Sequence, residues 1–474
     1  MTLDYKGWEK RRKRTSKIFY IQSIALGMEY ALTFITLYVY LKDVIKTKYV
    51  DEFYSAISAI FILSQITMSL IFGHLFDKYR NLHTMFFLGN VLIIIGNILY
   101  TIPYSAWNLF AGRLISGGGG SLRAIMTSEL TRSYPEEELL PQFSAMGMSF
   151  AIGFIMGPVI NLAFIKADFK FLGIQIGYAN GSGLILTFVF IFVLFLATFG
   201  VSDLSKEYDM KETRMHGVNK GDTSLTDKKF EETRLDDAEE KEGMRLVENN
   251  QNGSEEMVKK IGVLKTLAIL FGSVDVVLIL FFSLFFMHCM VCYDIWQPMA
   301  CIQFLKWGIL EINIINLGFG VTAAGILLIV VFNPMSEKVL VYAAMVCVLC
   351  LGLIQVMYAV MEVYRPGSTV STLLWIGYAF WFAIVIIMEE VFLINTMSRL
   401  IPSSIQAFSE SVRLSFSRTG AVIGLLTAAF SFHYLHYICA GYLVITGVVM
   451  VLLIWRRKRF QHPQVIEFIT FENL

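Results

Sequence analysis

Apolar positions dominate two long blocks of this chain. They fill residues 18–202, give way to about sixty charged and polar residues, and resume from about residue 262 to Trp455. Each block holds six apolar runs long enough to cross a bilayer, since ~20 residues at ~1.5 Å rise span a ~30 Å hydrocarbon core. The predicted spans of the first block are Ile18–Leu41, Phe53–Phe76, Thr84–Ile102, Ala106–Ser128, Gln142–Phe164 and Leu184–Val201. Those of the second are Val276–Cys301, Ile312–Phe332, Val339–Val360, Leu373–Asn395, Ala407–Ser431 and Tyr437–Trp455. The seventh has the softest boundary, because 261–302 is broken only by Lys265, Asp275 and Asp294. Gly272-Ser273 reads as a break and Asp275 as a helix N-cap, so an interfacial helix should lead into a span from Asp275. The predicted fold is therefore all-α and membrane-embedded, with twelve transmembrane helices in two six-helix pseudo-repeats. It divides into a basic N-terminus (1–17), a first bundle (18–202), a linker (203–260), a second bundle (261–455) and a tail (456–474).

Composition strengthens the membrane reading. The chain has 474 residues, 56% of them hydrophobic and 16% charged, where a soluble domain carries about 25% charged residues. Net charge is +1, which gives no bulk electrostatic case for nucleic acid. Local charge is more informative. Lys10, Arg11, Arg12, Lys13, Arg14 and Lys17 precede the first span, and Arg456, Arg457, Lys458 and Arg459 follow the last. Basic flanks stay cytoplasmic, so both termini and the linker are expected inside, with an even number of spans. The start lacks the small-residue cleavage site of a signal peptide. The linker is rich in Glu, Lys, Asp and Asn and poor in large apolar groups, so disorder is expected there. All six Cys fall in or beside apolar spans, which argues against a disulfide framework. Cys289-x-x-Cys292 beside His288 has no second ligand pair, so no metal or other cofactor is expected. Asn180-Gly181-Ser182 is a glycosylation sequon just before the sixth span, and Glu136–Leu140 has the look of an acidic dileucine sorting signal.

Three stretches carry mechanism. The loop after span two reads Gly73-His-Leu-Phe-Asp77-Lys78-Tyr-Arg80. Gly73 permits close approach of another helix. Asp77 can accept from the exposed N–H groups at a neighbouring helix start, where the dipole is positive. Lys78 and Arg80 can pair with acids across the seam. Such a cluster would latch two halves at one mouth, against the plainer alternative of a basic loop. Span four carries Arg113 inside the hydrocarbon, followed by Gly117–Gly120. An intramembrane Arg costs at least ~2.5 kcal/mol on insertion scales, so it must face a cavity or a counter-ion. Span five carries Gly153 and Gly157 at i, i+4, followed by Pro158, which gives a flat face and a helix kink.

In this order and on these spans, the three stretches resemble the loop, fourth-helix and fifth-helix signatures of the major facilitator superfamily. The resemblance covers the chain apart from linker and tails. Within it, Tyr293-Asp294-Ile295-Trp296-Gln297-Pro298, Ser398–Pro402 and Ser417-Arg418-Thr419-Gly420 are similar to the lysosomal facilitators linked to neuronal ceroid lipofuscinosis. Asn81 stands where the loop signature usually has Gly, and Glu29 departs from that branch. The resemblance implies a carrier working by alternating access about a central site, in the lysosomal membrane and open to proton coupling. Its partners would be a small-molecule or ion substrate and the lipid bilayer, with a monomer as the default.

The same fold makes spans one and seven repeat equivalents lining the cavity. The buried charges then become candidate pathway residues: Glu29 in span one, Arg113 in span four, Asp294 in span seven, Glu389 in span ten and Arg418 in span eleven. Glu390 lies 100° from Glu389 on an ideal helix, and Glu410 and Arg413 stand one turn apart. By repeat logic the counter-ion of Arg113 is Glu29 or Glu389. No nucleotide loop, catalytic triad or metal set marks an enzyme. Rival readings are an anion conductance in the same fold and a non-transporting sensor or scaffold.

Overall fold

The computed structural model describes residues 5–163, 167–211, 263–301, 305–307, 309–333, 335–360 and 369–465. Twelve helical rods follow the predicted order. The first runs Tyr5–Val39 and continues as a π turn through Ile45. Val50–Tyr79 and Leu82–Thr101 come next, then a fourth rod in two pieces, Ala106–Gly119 and Leu122–Ser133. Glu136–Ala163 and Gly181–Gly200 complete the first block. In the second block, Val274–Ala300, Ile309–Phe332 and Glu337–Ala359 precede a tenth rod, Thr369–Ile387, which continues through a π turn (Met388–Leu393) into Ile394–Leu400. Gln406–Ser431 and Leu435–Gln461 are the last two. Among the described residues, seven of these helices are long and apolar enough to cross a membrane by length and composition alone. Several of the others are broken by glycine, a π turn or charge, which is where a central site would need them broken.

The first helix begins well before Ile18. Its basic segment is a packed face: Trp8 is fully buried, and its indole donates to the Leu204 carbonyl at 3.3 Å. Arg12 stacks over the Tyr134 ring at 4.4 Å and donates to the Ser133 carbonyl. Arg11 pairs with Glu207 at 2.6 Å. Glu207 and Leu204 belong to the linker's first turn, Leu204–Glu207. The expectation of disorder from residue 203 is thereby corrected for residues 203–211, which are ordered against the bundle; residues 212–260 lie outside the described set. The break at Gly272-Ser273 is present, between Val263–Gly272 and Val274–Ala300. Asp275 falls inside the first turn instead of at the cap, and pairs with Arg456 at 3.5 Å. The start of the chain, the start of the linker and the last helix's basic end therefore gather at one end of the bundle.

At the opposite end, a hairpin of Phe169–Phe171 and Ile174–Ile176, turning at Gly173 (φ +79°), joins spans five and six. The Asn180 amide beyond it is buried and donates to the carbonyls of Thr101 and Gln175. The folded chain thus withholds the sequon. Leu139 and Leu140 are likewise buried, so this stretch cannot serve as an exposed sorting signal.

Glycine sets the closest helix contacts in both blocks. A Cβ on Gly153 would meet the Ile24 carbonyl oxygen at 1.9 Å, and one on Gly27 would meet that of Phe150 at 2.2 Å. Spans one and five therefore touch backbone to backbone. Spans seven and eleven do the same through Gly420, 2.1 Å from the Leu284 oxygen by the same measure. Gly424 repeats the i, i+4 spacing of Gly153 and Gly157. The fifth helix runs unbroken through residue 158.

Backbone atoms at such contacts cannot yield as side chains do. Gly420→Val and Gly153→Val should each lower the detergent melting temperature sharply, overpacking costing ~1–3 kcal/mol even where neighbours relax. Gly447→Ala, with nothing within 4 Å of its Cβ position, should melt as wild type does. Equal melting of all three would refute the contact's importance.

Candidate functional site

A two-lobed cavity lies between the two blocks, with lobes of about 350 and 240 Å³. Tyr30, Phe61, Met290 and Asp294 line both. Glu29 and Arg113 are buried side by side, with Nη1 3.5 Å from Oε1. The Arg113 guanidinium lies 3.6 Å from the Phe61 ring centroid. Of the two carboxylates expected for Arg113, Glu29 is the one present. Glu389 belongs to a different cation: Arg413 Nη1 lies 3.0 Å from it, and the same guanidinium forks onto Glu410 at 2.9 and 2.7 Å. The π turn at Met388–Leu393 is what carries Glu389 into this cluster, and Ser417 donates to it at 2.9 Å.

Arg418 crosses between blocks. It donates to the Gln65 carbonyl, the Ser69 hydroxyl and the Gly120 carbonyl at 3.0, 2.7 and 3.1 Å. The break in span four makes this possible: Ala124 N bonds back to Ser121 instead of Gly120, which leaves the Gly120 oxygen for the guanidinium. Asp294 differs from the other acids. It is exposed to the cavity and has no ion pair among the described residues. Also among the described residues, no three His, Cys, Asp or Glu converge on one point as a metal site.

The seam at the linker end is closed by charge. Asp77 accepts from the N–H groups of Ala407 and Phe408 at 2.9 and 2.7 Å, at the very start of span eleven. It also pairs with Arg132, whose guanidinium reaches the Ser403 carbonyl at 2.6 Å. Gly73 lets the helices meet: a Cβ there would lie 2.2 Å from Ser411 Oγ and 2.8 Å from the Ala407 oxygen. Arg80 takes a left-handed conformation (φ +48°) and pairs with Asp209 of the linker at 3.0 Å. Asn81, in the place of the usual Gly, caps span three by accepting from Thr84 N at 2.9 Å. Among the described residues, the expected pairing of Lys78 with an acid across the seam is not present. Its side chain is exposed beside the Tyr79 ring, and among the described residues it has no ion pair.

Sequence reasoning missed the second layer of this seam. Asp209 accepts from Ser403 and lies 4.0 Å from Arg132. Lys211 Nζ donates to the carbonyls of Ser398 and Ile401 and to Gln406 Oε1 at 2.9 Å. Burial pulls its amine down to about 7. Glu129 holds the linker through the Ser205 N–H and hydroxyl at 2.8 and 2.5 Å. The i, i+3 spacing of Glu129 and Arg132 near a helix end was the available signal; Asp209 and Lys211 had none, lying in a segment whose composition predicts disorder.

Removing one partner of a buried pair strands the other, at a cost of ~3–5 kcal/mol. Arg113→Leu should therefore reduce membrane abundance severalfold, and Arg113→Leu combined with Glu29→Gln should restore most of it. Immunoblots of matched membranes check this; a double variant no more abundant than the single one contradicts the pairing.

The Major Facilitator Superfamily profile matches residues 19–424. An uncharacterized transporter of Buchnera aphidicola (BU466) is 33% identical over 102 residues, 21% of this chain and 26% of that one. The class G tetracycline resistance protein of Vibrio anguillarum is 27% identical over 161 residues, 32% and 38% of the two chains. The chain thus matches well under half the length of these relatives. Among solved structures, the proton:xylose symporter XylE bound to a bromodeoxyglucose superposes with a TM-score of 0.70 at 13% identity, covering 97% of this chain and 98% of that one. The human organic anion transporter MFSD10 gives 0.61 at 12% identity, covering 93% and 99%. Its twelve-helix fold, the apolar spans and a profile match over most of its length make this chain a member of the Major Facilitator Superfamily.

Proposed function

We propose that this chain is a carrier that moves a small solute across a membrane by alternating access. The observation that carries the reading is the pairing of an interblock cavity with a seam closed at the linker end by bonds that a rocking motion would break. The grip of Asp77 on two span-eleven N–H groups depends on the alignment of the two blocks, and helix starts favour such a carboxylate. An anion conductance is less well supported, because Arg113, Arg413 and Arg418 are already engaged by oxygens of the protein. The linker end is assigned to the cytoplasm on its basic flanks. The resemblance to the lysosomal branch supports a lysosome-like compartment.

Asp77→Asn should insert and accumulate almost normally, since Arg132 keeps Ser403 and Asp209. It should nonetheless lose most saturable uptake in reconstituted vesicles and gain labelling of a cysteine placed at the cavity from the linker side. Wild-type uptake in this variant would return the seam to a purely structural role.

Topology has its own check. Tags at Met1, in the linker and at Leu474 should all be digested by protease added to intact cytoplasm-out vesicles, and the tagged protein should colocalise with lysosomal markers. Protection of a single end contradicts the even span count.

A further inference from the structure

We infer that the solute is an organic cation with an apolar or aromatic body, held by Asp294; this rests on the carrier reading above. Each lining carboxylate but one has its cation: Glu29 has Arg113, and Glu389 has Arg413. Asp294 is the exception among the described residues, and it is exposed to the cavity while Tyr293 and Trp296 beside it in sequence are buried. A carboxylate held open at the meeting point of two lobes is a counter-ion for something that arrives from outside the protein.

The surroundings specify the rest of the solute. The larger lobe draws Tyr30, Phe61 and Phe154 from one block and Phe319 and Phe382 from the other. Tyr30 lies 6.5 and 6.3 Å from Phe61 and Phe154, and Phe319 lies 4.9 Å from Phe382, ring centre to ring centre. Aromatic faces on both sides of an open carboxylate favour a positive head over a neutral or negative one. Two polar atoms in this lobe, Ser58 Oγ and Gln297 Nε2, are buried without hydrogen-bond partners among the described residues. Arg123 and Arg418 line the other lobe, and their charge turns the head of a cation toward Asp294 and its body toward the aromatic lobe. A volume of about 350 Å³ suits a small amine or quaternary ammonium compound.

The test uses the full chain, purified and reconstituted, with phenyltrimethylammonium as the cationic probe and benzoate as the anionic one. Binding is read by calorimetry and uptake by radiolabel. Phenyltrimethylammonium should bind saturably and benzoate should not compete. Asp294→Asn should weaken binding by at least about tenfold, equivalent to ~1.4 kcal/mol, with an unchanged melting curve, and Asp294→Glu should recover part of it. Absent binding of the cation, equal binding of the anion, or cation binding indifferent to Asp294→Asn would each overturn the proposal. Saturable uptake of benzoate alone would overturn it and leave the carrier intact. Cation binding at Asp294 without any uptake would uphold the site and sink the carrier.

Discussion

A charge taken into hydrocarbon must be answered within the protein, and the structure is organised around that constraint. Glu29 answers Arg113, and Glu389 and Glu410 together answer Arg413. Arg418 is answered by oxygens of the opposite block, which a break in span four makes available. Asp77 meets both an arginine and the positive end of a helix. Once these debts are settled, the one cavity acid left over among the described residues, Asp294, is the group with something still to bind. The departures from regular helix serve the same constraint: the Gly120–Ser121 break and the Met388–Leu393 π turn stand where a charge needs an oxygen or a carboxylate delivered.

Much of this was legible in the sequence, because bilayer physics writes in long words. A run of twenty apolar residues is hard to mistake, and the twelve rods fall close to their predicted places. The contact of Asp77 with a helix start and the pairing of Arg113 with Glu29 could be anticipated, since an isolated charge in an apolar run names its own need. Boundaries were less legible. Tyr5–Lys17 reads as a solvated flank because seven of its residues are cationic, yet aromatic packing of Trp8 and Arg12 folds it into the first helix. Asp209 and Lys211 were invisible because their partners, Ser403, Ser398 and Ile401, lie nearly two hundred residues away. Lys78, a charge inside a recognised motif, has no ion pair among the described residues.

The glycine contacts repeat between blocks more plainly than the charges do. Gly153 and Gly157 press span five onto span one, and Gly420 and Gly424 press span eleven onto span seven. The second pair has the same spacing as the first and could have been read from it. The charges do not repeat in this way: the first block holds the Glu29–Arg113 pair, and the second holds both the Arg413 cluster with Glu389 and Glu410 and the open acid Asp294.

The linker's root has a further consequence. Lys211 leaves the seam from among oxygens of the second block, a few residues after Asp209 and Ser205 have fastened the chain to the first. Opening that mouth must pull the root from one side or the other. Residues 203–211 are thus bonded to both blocks at once, so any separation of the two at this end has to break bonds on one side of the linker's root.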